Sequence, residues 1–224
     1  MTRPTETVTA VLVAAGSGQR LGANVPKAFV HVAGATLLEH AVGRFARHSR
    51  VDTIVVVAPA AQLDTAADLV DHQVVAGGAT RRDSVAAGLR AAGGHTAFVL
   101  VHDVARPFVP AHVIDTVLDA LHDGADAVVP VVGIHDTVRR LDATGALDGL
   151  VDRSTLAAIQ TPQGFRRDVL ERAHRDGAHL DVTDDAALVE ALGLRVVAAR
   201  GSDESFKITT PADLARAEAV ARLG

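Results

Sequence analysis

The sequence contains no cysteine, no tryptophan and no tyrosine among its 224 residues. The lack of cysteine excludes disulfide bonds, thiol catalysis and cysteine metal sites, and the two missing ring types cannot stack on a nucleobase. No stretch is long and apolar enough to span a bilayer. The polar start, residues 1–6, carries no apolar signal segment, so we expect a cytoplasmic protein. The net charge of −5 argues against a general nucleic-acid surface, and any basic site for phosphate must therefore be local.

Length and composition predict one α/β domain, because 224 residues with 48% hydrophobic content can bury a large core. Buried, largely β-branched runs predict strands, and apolar residues at helical spacing predict helices. The predicted strands cover residues 8–11, 51–58, 73–76, 98–101, 127–132 and 194–198. The predicted helices cover residues 37–45, 61–70, 85–92, 110–122, 167–176 and 186–192, with a last helix after Thr210.

A glycine-rich turn follows the first predicted strand, residues 8–11. Such a turn at the carboxyl end of a strand is where an open α/β sheet usually binds ligand. Gly16 and Gly18 lack a Cβ, so the backbone can bend tightly and point N–H groups at phosphate. Arg20 and Lys27 add two cations, which suit a triphosphate.

Two familiar phosphate-binding motifs do not fit this turn. A Walker A loop needs Gly-Lys followed by Ser or Thr, whereas Lys27 lies between Pro26 and Ala28. The dinucleotide fingerprint needs a small residue where this sequence has Leu21. A flexible turn with solvated cations is the alternative, but Gly22 and Pro26-Lys27 in register favour a phosphate-binding loop.

The turn resembles the signature loop of the sugar nucleotidyltransferases, with Ala14-Ala15-Gly16, Gly18, Arg20-Leu21-Gly22 and Pro26-Lys27 in place. These enzymes join a nucleoside triphosphate to a phosphorylated alcohol or sugar and release pyrophosphate. The later motifs narrow the resemblance to the 2-C-methyl-D-erythritol 4-phosphate cytidylyltransferases. The resemblance implies nucleotide binding by the loop residues Ala14, Ala15, Gly16 and Gly18, and catalytic roles for Arg20 and Lys27.

Two further motifs follow predicted strands. The stretch 77–84 resembles the family's Gly-Gly-x-x-Arg-x-x-Ser, which holds the cytosine base and ribose, and Gly78 and Ser84 match it. The stretch 102–107 departs from the family's His-Asp-Ala-Ala-Arg-Pro only at Val104. Asp103 is the candidate Mg²⁺ ligand, because Mg²⁺ binds through one or two carboxylates and phosphate oxygens. A helix cap or turn is the alternative role for a lone aspartate in this position.

The resemblance also implies an acceptor site built from Arg106, Thr137, Arg153, Thr161, Thr183 and Lys207. Within this set, Arg153 and Lys207 would be catalytic because they would place the attacking phosphate. Local sequence offers other roles for three members. Arg106 could be a surface ion-pair partner, Thr183 is a good helix N-cap, and Lys207 could be a solvated lysine.

The alternation of strands and helices stops at residues 134–153, where the pattern predicts a β-hairpin, here called the arm. A lone hairpin has too little core to stand by itself, so it would pack on a second subunit. The resemblance implies a homodimer in which Thr137 enters the partner's active site. It also implies a doubly wound, mostly parallel α/β sheet. We therefore predict a single domain over residues 1–224 that dimerises through the arm.

The reaction that the resemblance implies is cytidylyl transfer from CTP to 2-C-methyl-D-erythritol 4-phosphate, with release of pyrophosphate, on the non-mevalonate route to isoprenoids. The attacking phosphate is already ionised, so catalysis needs positioning and electrostatic stabilisation and no protein base. Two alternatives stay open at this point. One is a ribitol 5-phosphate cytidylyltransferase, which shares the nucleotide loops and is suggested by Val104 and Phe108. The other is a nucleotide-binding domain without catalysis.

Overall fold

The computed structural model describes residues 6–14, 25–180 and 182–222. Its strands are β1 (Thr7–Val13), β2 (His31–Val32), β3 (Ala35–Thr36), β4 (Thr53–Ala58), β5 (Gln73–Ala76), β6 (Thr96–Asp103), β7 (Ala127–Gly133), β8 (Val138–Leu141), β9 (Leu147–Val151), β10 (Ala157–Ile159), β11 (Gln163–Arg166) and β12 (Val196–Arg200). Its α-helices are α1 (Leu37–Ala46), α2 (Leu63–Leu69), α3 (Arg81–Ala91), α4 (Ala111–His122), α5 (Arg167–Asp176), α6 (Asp185–Ala191) and α7 (Pro211–Ala221). None of the helices within the described ranges is long and apolar enough to cross a membrane.

Eight strands of the described residues form one sheet. Six of them follow one another in the order β5-β4-β1-β6-β11-β7, and β10 and β12 also pair with β7. The strand β10 continues along β7 beyond β11, and β12 lies on the other side of β7. The pairs of β1 with β4 and β6, of β4 with β5, and of β7 with β12 are parallel. The pairs made by β10 and β11 are antiparallel. The predicted doubly wound, mostly parallel α/β sheet is therefore confirmed.

The sheet is buried on both faces, which explains why its central strands are continuous apolar runs. Alternate residues of a strand point to opposite faces. Ala10 and Leu12 accordingly pack in one core with α1, α2, α4 and α7, whereas Val11 packs in a second core with α3, α5 and α6. The helix α3 approaches the sheet closely at Gly88, where a Cβ would lie 2.3 Å from Val11 Cγ1.

Two helix starts differ from the prediction. The helix α3 begins at Arg81, four residues before the predicted start, because Thr80 and Asp83 form a capping box that draws the polar residues into the first turn. The prediction that Thr183 is the N-cap of α6 is wrong. Asp184 takes that position, and its Oδ1 accepts a hydrogen bond from Ala187 N at 3.0 Å.

The predicted hairpin of the arm is confirmed, since β8 and β9 pair antiparallel across residues 138–151. Its turn is closed by Asp142, whose Oδ1 accepts hydrogen bonds from the backbone N–H groups of Thr144 and Ala146. Both strands carry leucines that project into solvent: Leu141, Leu147 and Leu150 are 65–68% exposed.

Candidate active site

The carboxyl ends of the three central strands β4, β1 and β6 lie side by side at Val13 and Ala14, where the glycine-rich segment of the sequence begins. Backbone hydrogen bonds join Ala14 N to Val57 O at 2.8 Å and Val104 N to Val13 O at 3.2 Å. Ala14, which begins the loop, is buried, and Lys27 begins the 3-10 turn Lys27–Phe29 that follows it. The predicted loop residues Ala15, Gly16, Gly18 and Arg20 lie outside the described residues.

Gly78 and Ser84 lie together at the start of α3, next to this edge of the sheet. The hydroxyl of Ser84 is fully buried; it accepts a hydrogen bond from Gly78 N at 3.2 Å and donates one to Thr80 O at 3.0 Å. A Cβ at Gly78 would lie only 2.3 Å from Asp83 Cβ, so this turn requires glycine. The buried Ser84 hydroxyl thus fixes the backbone of the turn between Gly78 and Thr80.

Asp103, at the end of β6, lies between two cations. Its Oδ2 accepts a hydrogen bond from Lys207 Nζ at 2.6 Å, and its Oδ1 accepts one from Arg81 Nε at 3.3 Å. Burial opposes ionisation of Asp103, but the charges of Arg81 and Lys207 outweigh it and hold the pKa of Asp103 well below its usual range. The carboxylate is therefore ionised, and it connects the predicted motif 102–107 with Lys207, a predicted acceptor residue.

Arg81 extends this cluster away from the strand end. Its Nη1 donates a hydrogen bond to Asp185 Oδ2 at 2.6 Å, and the other oxygen of Asp185 accepts one from His174 Nε2 at 2.8 Å. Sequence reasoning missed Arg81, Asp185 and His174 as a group. Arg81 was detectable, because it matches the arginine of the Gly-Gly-x-x-Arg-x-x-Ser motif; His174 carries no local signal.

His102 and Thr161 form a buried pair beneath Asp103. The Thr161 hydroxyl lies 3.0 Å from His102 Nδ1 and accepts a hydrogen bond from Asp103 N at 3.1 Å. The other ring nitrogen, Nε2, lies 3.1 Å from the carbonyl oxygen of Arg106. Burial lowers the pKa of His102 to about 4, so the ring is neutral and serves as a buried hydrogen-bonding partner. Thr161 orients the backbone at Asp103 from below.

Arg106 supports the segment that carries Lys207. Its Nη1 donates to Ser205 O at 2.7 Å and its Nη2 to Ile159 O at 3.1 Å. The same segment is tied to the strand end by a backbone hydrogen bond from Ile208 N to Ala105 O at 2.8 Å. Arg106 is therefore bonded to backbone carbonyl groups and is not a surface ion-pair partner in the described residues.

The remaining predicted acceptor residues lie apart from this cluster. Thr137 and Arg153 flank the two strands of the arm, where both side chains are exposed and Arg153 bonds to the carbonyl oxygen of His135. Thr183 is exposed just before α6. Across residues 6–14, 25–180 and 182–222, no hydrogen bond or ion pair joins these three side chains to Asp103 or Lys207.

Val104 and Phe108, which suggested the ribitol alternative, are 1% and 2% exposed. Both side chains belong to the apolar core that α1 and α4 share with the sheet. The departure from the family motif at Val104 is therefore a packing change, and neither residue lines a binding surface.

Comparisons with known proteins identify the relatives of this chain. A sequence model of the 2-C-methyl-D-erythritol 4-phosphate cytidylyltransferase (IspD) family matches residues 8–222. A protein of that name from Frankia casuarinae is 47% identical over 215 residues, which are 95% of this chain and 80% of the relative. The protein of that name from Rhodococcus jostii is 44% identical over 219 residues, 97% and 96% of the two chains.

Solved structures give the same result. The crystal structure of 2-C-methyl-D-erythritol 4-phosphate cytidylyltransferase from Thermus thermophilus has a TM-score of 0.80 at 38% identity and covers 95% of this chain and 98% of its own. That of 4-diphosphocytidyl-2C-methyl-D-erythritol synthase from Anaerococcus prevotii has a TM-score of 0.85 at 28% identity and covers 98% and 100%.

Proposed function

The chain belongs to the 2-C-methyl-D-erythritol 4-phosphate cytidylyltransferase family, and on this premise we propose which of its residues perform the transfer. The protein transfers a cytidylyl group from CTP to 2-C-methyl-D-erythritol 4-phosphate and releases pyrophosphate. The observation that supports the proposed site is the pairing of Asp103 with Lys207 and Arg81, at the strand end where Asp103 lies next to Val13 of β1.

In the transfer, an oxygen of the acceptor phosphate bonds to the α-phosphorus of CTP while the bond to the β-phosphate breaks. Negative charge grows on the α-phosphate oxygens and on the leaving pyrophosphate, so the catalytic need is for fixed cations. We assign this role to Arg20 and Lys27. The nucleotide itself would be held by the loop and the start of α3, through Ala14, Ala15, Gly16, Gly18, Gly78 and Ser84.

Lys207 is our candidate for binding the attacking phosphate, together with Arg153. The side chain of Lys207 is 41% exposed although its ammonium group is paired with Asp103, so it is both held in place and accessible. Arg106 and Thr161 would act on the acceptor indirectly, because their polar atoms already bond to the backbone beside Lys207 and Asp103. Thr183 is proposed as a direct contact.

Asp103 fits a Mg²⁺ ion that is shared with substrate phosphates. The described residues contain no group of three or more His, Asp or Glu side chains that could hold a metal by themselves. One carboxylate is nevertheless enough where phosphate oxygens and water complete the shell, and Asp103 is ionised and partly accessible. The ion would supply charge neutralisation for the phosphates of CTP.

The arm supports a homodimer, which we propose together with a single domain over residues 1–224 and a cytoplasmic location. Leu141, Leu147 and Leu150 expose about two thirds of their surface on a hairpin that has no core of its own. Burial of three leucines against a second copy would stabilise the assembly by several kcal/mol, at roughly 1.5–3 kcal/mol each. Thr137 and Arg153 would then reach the partner's acceptor site.

The test is pyrophosphate release with CTP and Mg²⁺, using 2-C-methyl-D-erythritol 4-phosphate and ribitol 5-phosphate in turn. We expect release with the former and a loss of roughly a hundredfold or more in Asp103→Asn. Asp115→Asn is the matched control, because Asp115 also lies between two basic side chains, His48 and Arg50, but is on α4. Release with ribitol 5-phosphate alone would contradict the acceptor, and full activity of Asp103→Asn would contradict the site.

A further inference from the structure

Asp185 is a buried carboxylate to which the transfer reaction assigns no role. Its side chain is only 1% exposed, and both of its oxygens are bonded, one to Arg81 and one to His174. His174 is itself only 8% exposed. A buried charge is unfavourable unless it is paired and hydrogen-bonded, and this pairing is complete.

The pairing links three helices to the active-site edge of the sheet. His174 lies on α5, Asp185 is the first residue of α6, and Arg81 is the first residue of α3. Arg81 uses two different nitrogens: Nη1 bonds to Asp185 and Nε to Asp103. Because the guanidinium group is planar and rigid, two bonds in different directions fix its orientation. The position of the Arg81 guanidinium group relative to Asp103 therefore depends on the position of Asp185, which binds the Nη1 atom of Arg81.

Asp185 is in turn held by His174. Burial opposes the ionisation of Asp185, but the hydrogen bond from His174 and the charge of Arg81 keep the pKa of Asp185 below its usual value. Without the His174 donor, one oxygen of a buried carboxylate would lose its partner. The side chain would then be free to turn away from Arg81.

We propose that Asp185, held by His174, is a positioning residue for cytidylyl transfer: it fixes Arg81 and, through Arg81, the Asp103–Lys207 pair. This inference rests on the proposed function, in which Lys207 binds the acceptor phosphate. Displacement of the pair would affect the acceptor through Lys207 and CTP through Asp103. The competing explanation is that the ion pairs only stabilise the packing of α5 and α6.

The experiment measures kcat, the KM for CTP and the KM for 2-C-methyl-D-erythritol 4-phosphate by pyrophosphate release, with thermal unfolding of each variant alongside. In Asp185→Asn, we expect kcat/KM for the acceptor to fall roughly tenfold to a hundredfold, because small misplacements of a catalytic group have effects of this size. The KM for CTP should rise as well, because Arg81 also fixes Asp103, the proposed ligand of the Mg²⁺ ion that is shared with the phosphates of CTP. His174→Leu should show the same pattern, and His174→Gln, which keeps an N–H donor, should restore most of the activity.

His48→Leu is the matched control. His48 is also buried, with 5% of its side chain exposed, and pairs with an aspartate, Asp115, at 3.3 Å. It lies after α1, outside the cluster described above. Its loss should lower the melting temperature and leave all three kinetic constants unchanged.

A double-mutant cycle tests whether Asp185 acts through Arg81. In an Arg81→Met background, Asp185→Asn should cause no further loss of kcat/KM, because the two changes remove the same link. Lower melting temperatures with wild-type kinetics, or losses that multiply in the double variant, would overturn the inference. If Asp185→Asn does not fold, equal activity of His174→Leu and His174→Gln would overturn it instead. An inactive wild-type enzyme would be a failure of the proposed function, which is a separate result.

Discussion

Lowering the pH from about 7 to about 4 should destabilise this protein through one buried side chain, His102. The pKa of this ring is about 4 in the folded protein and 6.5 in its ordinary state, and burial is the main cause of the difference. Below pH 6.5 the unfolded chain therefore binds a proton that the folded protein does not bind. The contribution of His102 to stability is complete above that pH and is lost as the pH falls towards the folded-state pKa.

The size of the effect follows from the two pKa values. Each unit of pKa difference is worth about 1.4 kcal/mol, so the free energy of unfolding should fall by about 2 kcal/mol between about pH 7 and 5, and by about 3 kcal/mol at pH 4. Most carboxylates titrate below about pH 5. The change in stability between about pH 7 and 5 should therefore come mainly from histidine side chains.

The assay is urea unfolding at fixed protein concentration, followed by far-ultraviolet circular dichroism, because the chain has no tryptophan or tyrosine to report by fluorescence. His102→Asn is the comparison, since its amide can still bond to Thr161 but does not titrate. We expect the stability of the wild type to fall more steeply with decreasing pH than that of the variant. Parallel pH profiles would refute the argument that a neutral buried ring is required.

Three further outcomes are expected. Gly88→Ala should lower the free energy of unfolding by about 1–3 kcal/mol, because its Cβ would lie 2.3 Å from Val11 Cγ1; an unchanged urea midpoint would contradict this packing. Leu150→Asp should shift the protein from dimer to monomer in sedimentation velocity without loss of helical signal, whereas a monomeric wild type would contradict the role of the arm. Arg106→Lys cannot donate to both Ser205 O and Ile159 O. The loss of one such charged bond, about 1.5–3 kcal/mol, should appear as a higher KM for the acceptor, and an unchanged KM would contradict the support of Lys207.

The central sheet was predictable because its strands carry strong local patterns. Residues 53–58 and 96–101 are β-branched or apolar runs with both faces covered, and such runs have few other structures available. The strands β10 and β11 were not predicted. They are three and four residues long, and β11 is buried throughout its first three residues, Gln163 to Phe165, so it shows no alternation of polar and apolar side chains. Their formation depends on packing against other elements. At Gly164 of β11, for example, a Cβ would lie 2.4 Å from Val117 Cγ1 of α4.

Helix starts show a different limit of local reasoning. Thr183 and Asp184 are adjacent, and both residue types cap helices well. The sequence therefore predicts a cap near this point, but the choice between the two depends on long-range contacts. Asp184 also accepts a hydrogen bond from Gln163 Nε2 at 2.8 Å, and this bond to β11 accounts for Asp184 taking the cap.

The sequence predicts Asp103 and Lys207 as members of the candidate site, but it does not predict Arg81 and Asp185 or the ion pairs that join the four side chains. Asp103 and Lys207 each belong to a local motif, yet they lie 104 residues apart in the chain, as do Arg81 and Asp185. Two cations, Arg81 and Lys207, alternate with two carboxylates in one connected row, so the row is close to neutral by itself. A neutral row does not attract a triphosphate over a distance. The net positive charge that CTP requires must therefore come from outside the row, which supports the assignment of Arg20 and Lys27 to the phosphates and leaves Lys207 for the acceptor.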